Sequence, residues 1–145
     1  MRSMKSLAVA AFGLLTFLFL APAIQAHAQL PAYLHAISDL RTARAYLEMD
    51  HRPAQAGARD YAIKEINRAL DEMKRAALED GKNIWHTPPP QSEGNPGWPI
   101  RSAVRLLREA RRDVDHGEDT PENAGLRIRS VEHIDKALQA LTPLL

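Results

Sequence analysis

Apolar residues recur with helical spacing in four separate segments of the chain. In the first segment they fall mostly three or four residues apart, at Tyr33, Ala36, Ile37, Leu40, Ala43 and Leu47. Similar stripes run over residues 58–77, 100–114 and 124–141. This spacing places the apolar side chains on one face of an α-helix, and no segment shows the alternation that a half-buried strand requires. The pattern predicts an all-α chain of four amphipathic helices.

Proline and glycine mark the ends of the predicted helices. Pro31 begins the first helix and Gly81 ends the second, in the positions where these residues are favoured. Gly117 follows the third helix, and Thr120-Pro121-Glu122 supplies a capping hydroxyl, a first-turn proline and an acid to the fourth. The chain is therefore expected to form two helical hairpins, over residues 31–81 and 100–145.

A proline-rich loop over residues 82–99 joins the two hairpins. Prolines at positions 88, 89, 90, 96 and 99 remove too many backbone donors for a helix or a ladder strand. Trp85 and Trp98 lie in this otherwise polar loop, and tryptophan side chains are usually packed. We therefore expect the loop to pack back on the helices.

The two predicted hairpins also match each other in sequence. Residues 36–47 align with 103–114 at an offset of 67, and residues 53–73 align with 121–141 at an offset of 68. The matches include Leu40 with Leu107 and Ala69 with Ala137. One hairpin cannot bury its own apolar stripe, so two in tandem predict a closed four-helix bundle. Up-down-up-down connectivity follows most simply from the pattern.

The N-terminal segment has the composition of an export signal. Arg2 and Lys5 precede an uncharged apolar run over residues 7–21, and Ala26-His27-Ala28 offers the small residues of a cleavage site. We expect cleavage after Ala28, which leaves one domain over residues 29–145 in the periplasm or outside the cell. No stable membrane span is expected after cleavage, because the run is shorter than the roughly 20 residues that a span needs.

Charge and cysteine content exclude several classes of function. The full chain has 19 Lys plus Arg against 18 Asp plus Glu, and loss of the signal changes its net charge from +1 to −1. A basic nucleic-acid binder is therefore not expected. The chain has no cysteine, which excludes disulfides, thiol catalysis and zinc-thiolate sites. No nucleophile and base recur at a catalytic spacing, so an enzyme is not expected.

Histidines and carboxylates recur at the ends of predicted helices. Glu48-Met49-Asp50-His51 resembles Asp113-Val114-Asp115-His116, and alternating helix directions would bring these two segments to one pole of the bundle. His35 and His86 would lie at the other pole, with His133 about two turns inside it. Imidazole with carboxylate suits copper, nickel or zinc, but a histidine at a helix C-terminus also stabilises the helix dipole without a metal. The candidate metal ligands are His35, His51, His86, His116, His133, Asp50 and Asp115.

Two short motifs carry a resemblance to known proteins. Ala-Ile-Lys-Glu-Ile-Asn-Arg-Ala-Leu at residues 62–70 and His-Ile-Asp-Lys-Ala-Leu at residues 133–138, with the signal and the histidines, resemble small periplasmic metal-binding four-helix bundle proteins of bacteria. The segment Leu34 to Arg44 also looks like the opening of uncharacterised secreted bacterial helical-bundle proteins, which implies no activity. The first resemblance implies an exported binding protein that takes up a divalent transition metal. The alternative is a structural or chaperone-like envelope protein whose loop contacts another protein.

Overall fold

The computed structural model describes residues 32–116 and 124–145. Within these ranges the chain forms α1 (Ala32–Glu48), α2 (Ala56–Glu79), α3 (Pro99–Asp115) and α4 (Ala124–Leu141), with short 3₁₀ turns at Pro53–Gln55 and Thr142–Leu144. No strand occurs in the described ranges, and the predicted all-α four-helix bundle is confirmed. The predicted signal peptide of residues 1–28, the opening Pro31, Gly117 and the cap at Thr120-Pro121-Glu122 lie outside the described residues.

The end of α2 follows the sequence prediction at Gly81. This glycine has a φ of 64°, in the left-handed region that side chains disfavour. Its N–H donates to the carbonyl of Leu78 at 3.0 Å, and the N–H of Lys82 donates to the carbonyl of Ala77 at 2.8 Å. These two bonds satisfy carbonyls that the helix leaves free, and they end α2.

Small residues bring the helices of the bundle together. The closest pairs are α1 with α3 and α2 with α4, and α1 with α2 and α3 with α4 pack less extensively. Eight core alanines have no exposed surface, namely Ala36, Ala43, Ala62, Ala69, Ala77, Ala103, Ala110 and Ala137. Because alanine has no side chain beyond Cβ, helices that meet at alanines approach closely. Leucine and isoleucine side chains, among them Leu40 and Leu107, fill the remaining core.

Charged side chains show that α1 and α3 run antiparallel. Asp39, in the first half of α1, interacts electrostatically with Glu109 and Asp113, in the second half of α3. His35, near the start of α1, interacts in the same way with Asp113. Parallel helices would instead bring the start of α1 to the start of α3, which is the arrangement that an up-down-up-down bundle requires.

The other contacting pairs are antiparallel as well. Arg44 bonds Asn67 and Arg59 bonds the carbonyl of Asp50 across α1 and α2. Arg111 bonds Asp135 and Arg127 bonds the carbonyl of Asp115 across α3 and α4. His133 bonds Glu65 and Arg129 bonds Glu72 across α4 and α2, so in each pair the residue numbers rise along one helix as they fall along the other. The helix directions are therefore up-down-down-up, and the expected up-down-up-down order is wrong. The physical reason is the long connection between the hairpins, which lets α3 begin at the end of the bundle opposite to the end of α2.

Residues 80–98, which we call the strap, form this connection. The strap leaves α2 at the end of the bundle where α1 begins. It crosses to the opposite end, near the last turn of α1, where Tyr46 lies against Gly94. The side chain of Ile84 is buried, as expected for a loop that packs on the helices. The tryptophans do not cause this packing, because Trp85 and Trp98 remain 80% and 61% exposed.

No helix in the described ranges is both long enough and apolar enough to cross a bilayer.

Candidate functional site

The centre of the strap is bonded to carboxylates of α1 and α3. The backbone N–H of Gln91 donates to Oδ1 of Asp39 at 2.8 Å, and its side-chain amide donates to Oδ2 of Asp113. The hydroxyl of Ser92 donates to Oε2 of Glu109 at 2.7 Å. We call Asp39, Glu109 and Asp113 the acid cluster. These bonds fix the position of the strap on the seam between the two helices.

Burial shifts the proton affinity of the acid cluster. Asp39 has no exposed surface, and this burial raises its pKa to about 6. The nearby charges of Glu109 and Asp113 raise the pKa further, whereas the Gln91 N–H opposes the shift. Burial also raises the pKa of Asp113. Asp39 therefore takes up a proton at pH values at which an unperturbed aspartate would stay ionised.

Two buried polar atoms beside the strap have no hydrogen-bond partner among the described residues. They are Oδ2 of Asp39 and Nδ1 of His35, one turn before it on α1. Buried polar atoms are usually bonded, so each unpaired one marks a place where a proton or a water molecule would be stabilised. The acid cluster thus joins raised pKa values with unsatisfied hydrogen-bonding capacity.

Asp50 and His51 lie where α1 ends, but Asp50 already has a partner. Both its carboxylate oxygens accept bonds from the guanidinium of Arg52, at 2.8 and 3.0 Å. This pairing lowers the pKa of Asp50. The neighbouring His51 is exposed. The carboxylate that was expected to bind a metal therefore holds the turn between α1 and α2.

His116 and Asp115 lie at the opposite end of the bundle from His51. Nδ1 of His116 donates to the carbonyl of Arg112 at 2.7 Å, which satisfies a carbonyl of the last turn of α3. Asp115 lies 3.8 Å from Arg111 and 3.9 Å from Arg127. The expectation that His51 and His116 share one pole is wrong, because α1 and α3 run in opposite directions.

His86 is exposed on the strap, where it accepts a hydrogen bond from Nδ2 of Asn83 at 2.8 Å. No hydrogen bond joins it to its predicted neighbour His35 within the described part of the chain. The contacts of His86 are therefore local to the first turn after α2.

His133 lies at the interface of α2 and α4, next to Glu65, with which it aligns in the internal repeat at the offset of 68. Its Nδ1 donates to Oε2 of Glu65 at 2.7 Å, and Nη1 of Arg68 donates to Oε1 of the same carboxylate at 2.7 Å. Glu65 is only 1% exposed, so these two donors satisfy a buried carboxylate. Glu65 and His133 therefore have a structural role in the packing of α2 against α4.

The described residues contain no group of three or more histidine, aspartate, glutamate or cysteine side chains that could hold a metal ion. The structure brings together His35 with Asp113, and His133 with Glu65, and it places His51 and His116 at opposite ends of the bundle. Metal uptake through the candidate ligands stays a prediction from sequence.

A groove of about 340 Å³ opens where α3 begins. We call it the Trp98 groove, and the residues that line it include Trp98, Arg101, Val104, Arg105, Arg108 and Leu145. The guanidinium of Arg101 stacks over the Trp98 ring at 5.3 Å from its centroid. Arg105 donates to the backbone carbonyl of Glu93, which ties the groove to the strap. The groove therefore combines an aromatic wall with positive charge.

Sequence reasoning missed both the acid cluster and the Trp98 groove. A signal for the first was present, because Asp39 falls three residues after Ala36 and four before Ala43, on the buried stripe itself. A signal for the second was the spacing of Arg101, Arg105 and Arg108, four and three residues apart on one helix face.

Comparison of the chain with protein-family models, curated proteins and solved structures gives no match. The resemblance to periplasmic metal-binding bundle proteins stays a prediction from the short motifs.

Proposed function

We propose that the protein is an exported, non-enzymatic binding protein that acts through contact with another envelope protein, and that the strap carries the contact surface. The observation that supports this is the exposure of Trp85 and Trp98 on the strap. Tryptophan is enriched at protein interfaces, where its large ring supplies apolar contact area, and burying both rings in a partner would remove this surface from water.

The anchoring of the strap supports the same proposal. Hydrogen bonds from Gln91 and Ser92 to the acid cluster fix the strap on the bundle. Trp85 lies under the guanidinium of Arg41, which is 6.0 Å from the ring centroid. A surface that is ordered before binding loses less conformational entropy when a partner binds, so a rigid strap favours recognition.

Substitution of the tryptophans tests the proposal. Removal of the strap would be a poor test, because the strap spans the bundle and determines the direction of α3. We therefore compare the wild type with the Trp85→Ala/Trp98→Ala variant in affinity capture from an envelope extract. A Tyr61→Ala variant is the matched control, since Tyr61 is an exposed aromatic residue on α2, away from the strap.

The expected result is a set of partners that the wild type and the Tyr61→Ala variant retain and that the double tryptophan variant loses. Equal melting temperatures of the three proteins would show that folding is unaffected. Identical partner lists for all three folded proteins would contradict a strap-mediated contact.

Metal uptake is the second candidate function. The observation that favours it is the electrostatic interaction of His35 with Asp113, a histidine–carboxylate pair near the end of the bundle where His116 also lies. Calorimetric titration with Cu(II) tests it, with a His35→Ala/His116→Ala variant beside a His51→Ala control. Tighter binding by the wild type and the control would support the function, whereas equal binding by all three would exclude a shared site at this end.

A further inference from the structure

Three arginines of α3 line the Trp98 groove without a carboxylate partner. Arg101, Arg105 and Arg108 are exposed, and no aspartate or glutamate of the described residues forms an ion pair with any of them. Many other arginines of the bundle do have such a partner within 4.0 Å, namely Arg44, Arg52, Arg59, Arg68, Arg111, Arg127 and Arg129. The groove is thus a local excess of positive charge in a nearly neutral protein.

The spacing of these arginines concentrates their positive charge on one face of α3. Residues four and three positions apart lie above one another on the same face of a helix, and like charges in these positions repel. Among the described residues, no ion pair offsets the repulsion between these three arginines. An anionic ligand in the groove would relieve it.

The remaining walls of the groove are apolar. Trp98 and Leu145 are exposed large apolar residues, and the buried Val104 also lines the groove. The guanidinium of Arg101 stacks over Trp98, and a stacked guanidinium can still donate hydrogen bonds to a carboxylate. A ligand that fits must therefore carry negative groups beside an apolar side chain.

We infer that the Trp98 groove binds an extended, carboxylate-rich peptide segment of a partner protein, with an apolar residue of that segment seated against Trp98. This inference rests on the proposed function and adds the chemistry of the partner. Along α3 the arginines are about 6 Å and about 4.5 Å apart, at a rise of about 1.5 Å per residue. Alternate side chains of an extended peptide are about 6.6 Å apart, so two successive acidic positions match the spacing of Arg101 and Arg105.

The limited length of the charged row favours a peptide over a nucleic acid. Arg101 and Arg108 are separated by about 10 Å along the helix axis, from the same rise per residue. A nucleic acid presents a charge about every 1.7 Å and needs a basic surface that extends far beyond this row. The chain without its N-terminal segment has a net charge of −1, so it lacks the overall excess of positive charge that is typical of nucleic-acid-binding proteins.

Peptide binding with graded arginine variants tests the inference. The purified protein is titrated with a synthetic peptide that alternates Glu with Leu, and binding is measured by calorimetry. Tryptophan fluorescence is measured in a Trp85→Phe background, in which Trp98 is the only tryptophan. The same peptide with Gln in place of Glu tests the need for charge. The variants are Arg105→Ala and Arg101→Ala/Arg105→Ala/Arg108→Ala, and Arg75→Ala on α2 is the matched control because Arg75 is also exposed.

The expected result is binding of the Glu peptide with a Kd that rises about tenfold for Arg105→Ala, as for loss of one charge-assisted hydrogen bond, and weakens with added salt. The triple variant should show no binding, and Arg75→Ala should match the wild type. Equal binding of the Glu and Gln peptides, or tighter binding of a single-stranded oligonucleotide or of anionic lipid vesicles, would overturn the inference. Capture of tryptophan-dependent partners by the triple arginine variant would overturn it while leaving the proposed function intact.

Discussion

Nitroxide spin labels at positions 51 and 116 test the helix directions of the bundle. His51 follows the end of α1 and His116 follows the end of α3, so their separation depends on whether the two helices are antiparallel. Both residues are exposed, and the chain contains no native cysteine that would take up a label. The His51→Cys/His116→Cys variant therefore allows a distance measurement by pulsed electron paramagnetic resonance in an otherwise unlabelled protein.

The structure gives the expected magnitude. Helices α1 and α3 have 17 residues each, which corresponds to about 25 Å at a rise of about 1.5 Å per residue. Antiparallel helices place the labels at opposite ends, so we expect a distance of about 25 Å or more. Parallel helices would place them at one end, separated only by the distance between helix axes, which is about 8 to 14 Å for adjacent or diagonal helices.

A second pair provides the control for label flexibility. The structure places His35 and His116 at the same end of the bundle, so the His35→Cys/His116→Cys variant should give the shorter of the two distances. A distance below about 15 Å for positions 51 and 116, with the longer distance for positions 35 and 116, would refute the up-down-down-up order. It would also restore the shared pole that a metal site at His51 and His116 requires.

Three further predictions concern stability. Leu40→Ala and Leu107→Ala should each lower the free energy of unfolding by about 2 to 5 kcal/mol in urea titrations, because both side chains are fully buried; an unchanged midpoint would show that the core assignment of that helix is wrong. A double-mutant cycle with Glu65→Gln and His133→Ala should give a coupling of about 1 to 3 kcal/mol, and additive effects would mean that the 2.7 Å contact does not stabilise the fold. The raised pKa of Asp39, to about 6, means that the folded state holds this proton more tightly than the unfolded state, so stability should fall by about 1.4 kcal/mol as the pH rises from about 5 to about 7.5. Asp39→Asn should remove this part of the pH dependence, and an unaltered profile would contradict the assignment.

The sequence pattern predicted the helices well because helix formation is governed by near neighbours. Apolar intervals of three and four residues located all four helices, and Gly81 located the end of α2. Eight alanines of the predicted apolar stripes are also fully buried. These features depend on residues that are a few positions apart, which a single sequence displays directly.

The candidate site was harder to predict because its parts come from distant segments. Asp39 meets Gln91 across 52 positions, and its raised pKa depends on burial under the strap as well as on the charges of α3. The histidine pairs at helix ends suggested a shared site from local similarity alone. Local similarity says nothing about which ends of two helices meet, so His51 and His116 lie apart.

The sequence by itself therefore determined the four amphipathic helices, the proline-rich strap and the alanine-lined core, because each follows from local periodicity and backbone preference. Only the tertiary structure decided that α3 runs antiparallel to α1, that the strap is bonded to Asp39, Glu109 and Asp113, and that Arg101, Arg105 and Arg108 share a groove with Trp98. The physical reason is that the direction of a helix after a long connection depends on the packing of the whole bundle. The charge, burial and exposure of side chains at a site follow from that packing.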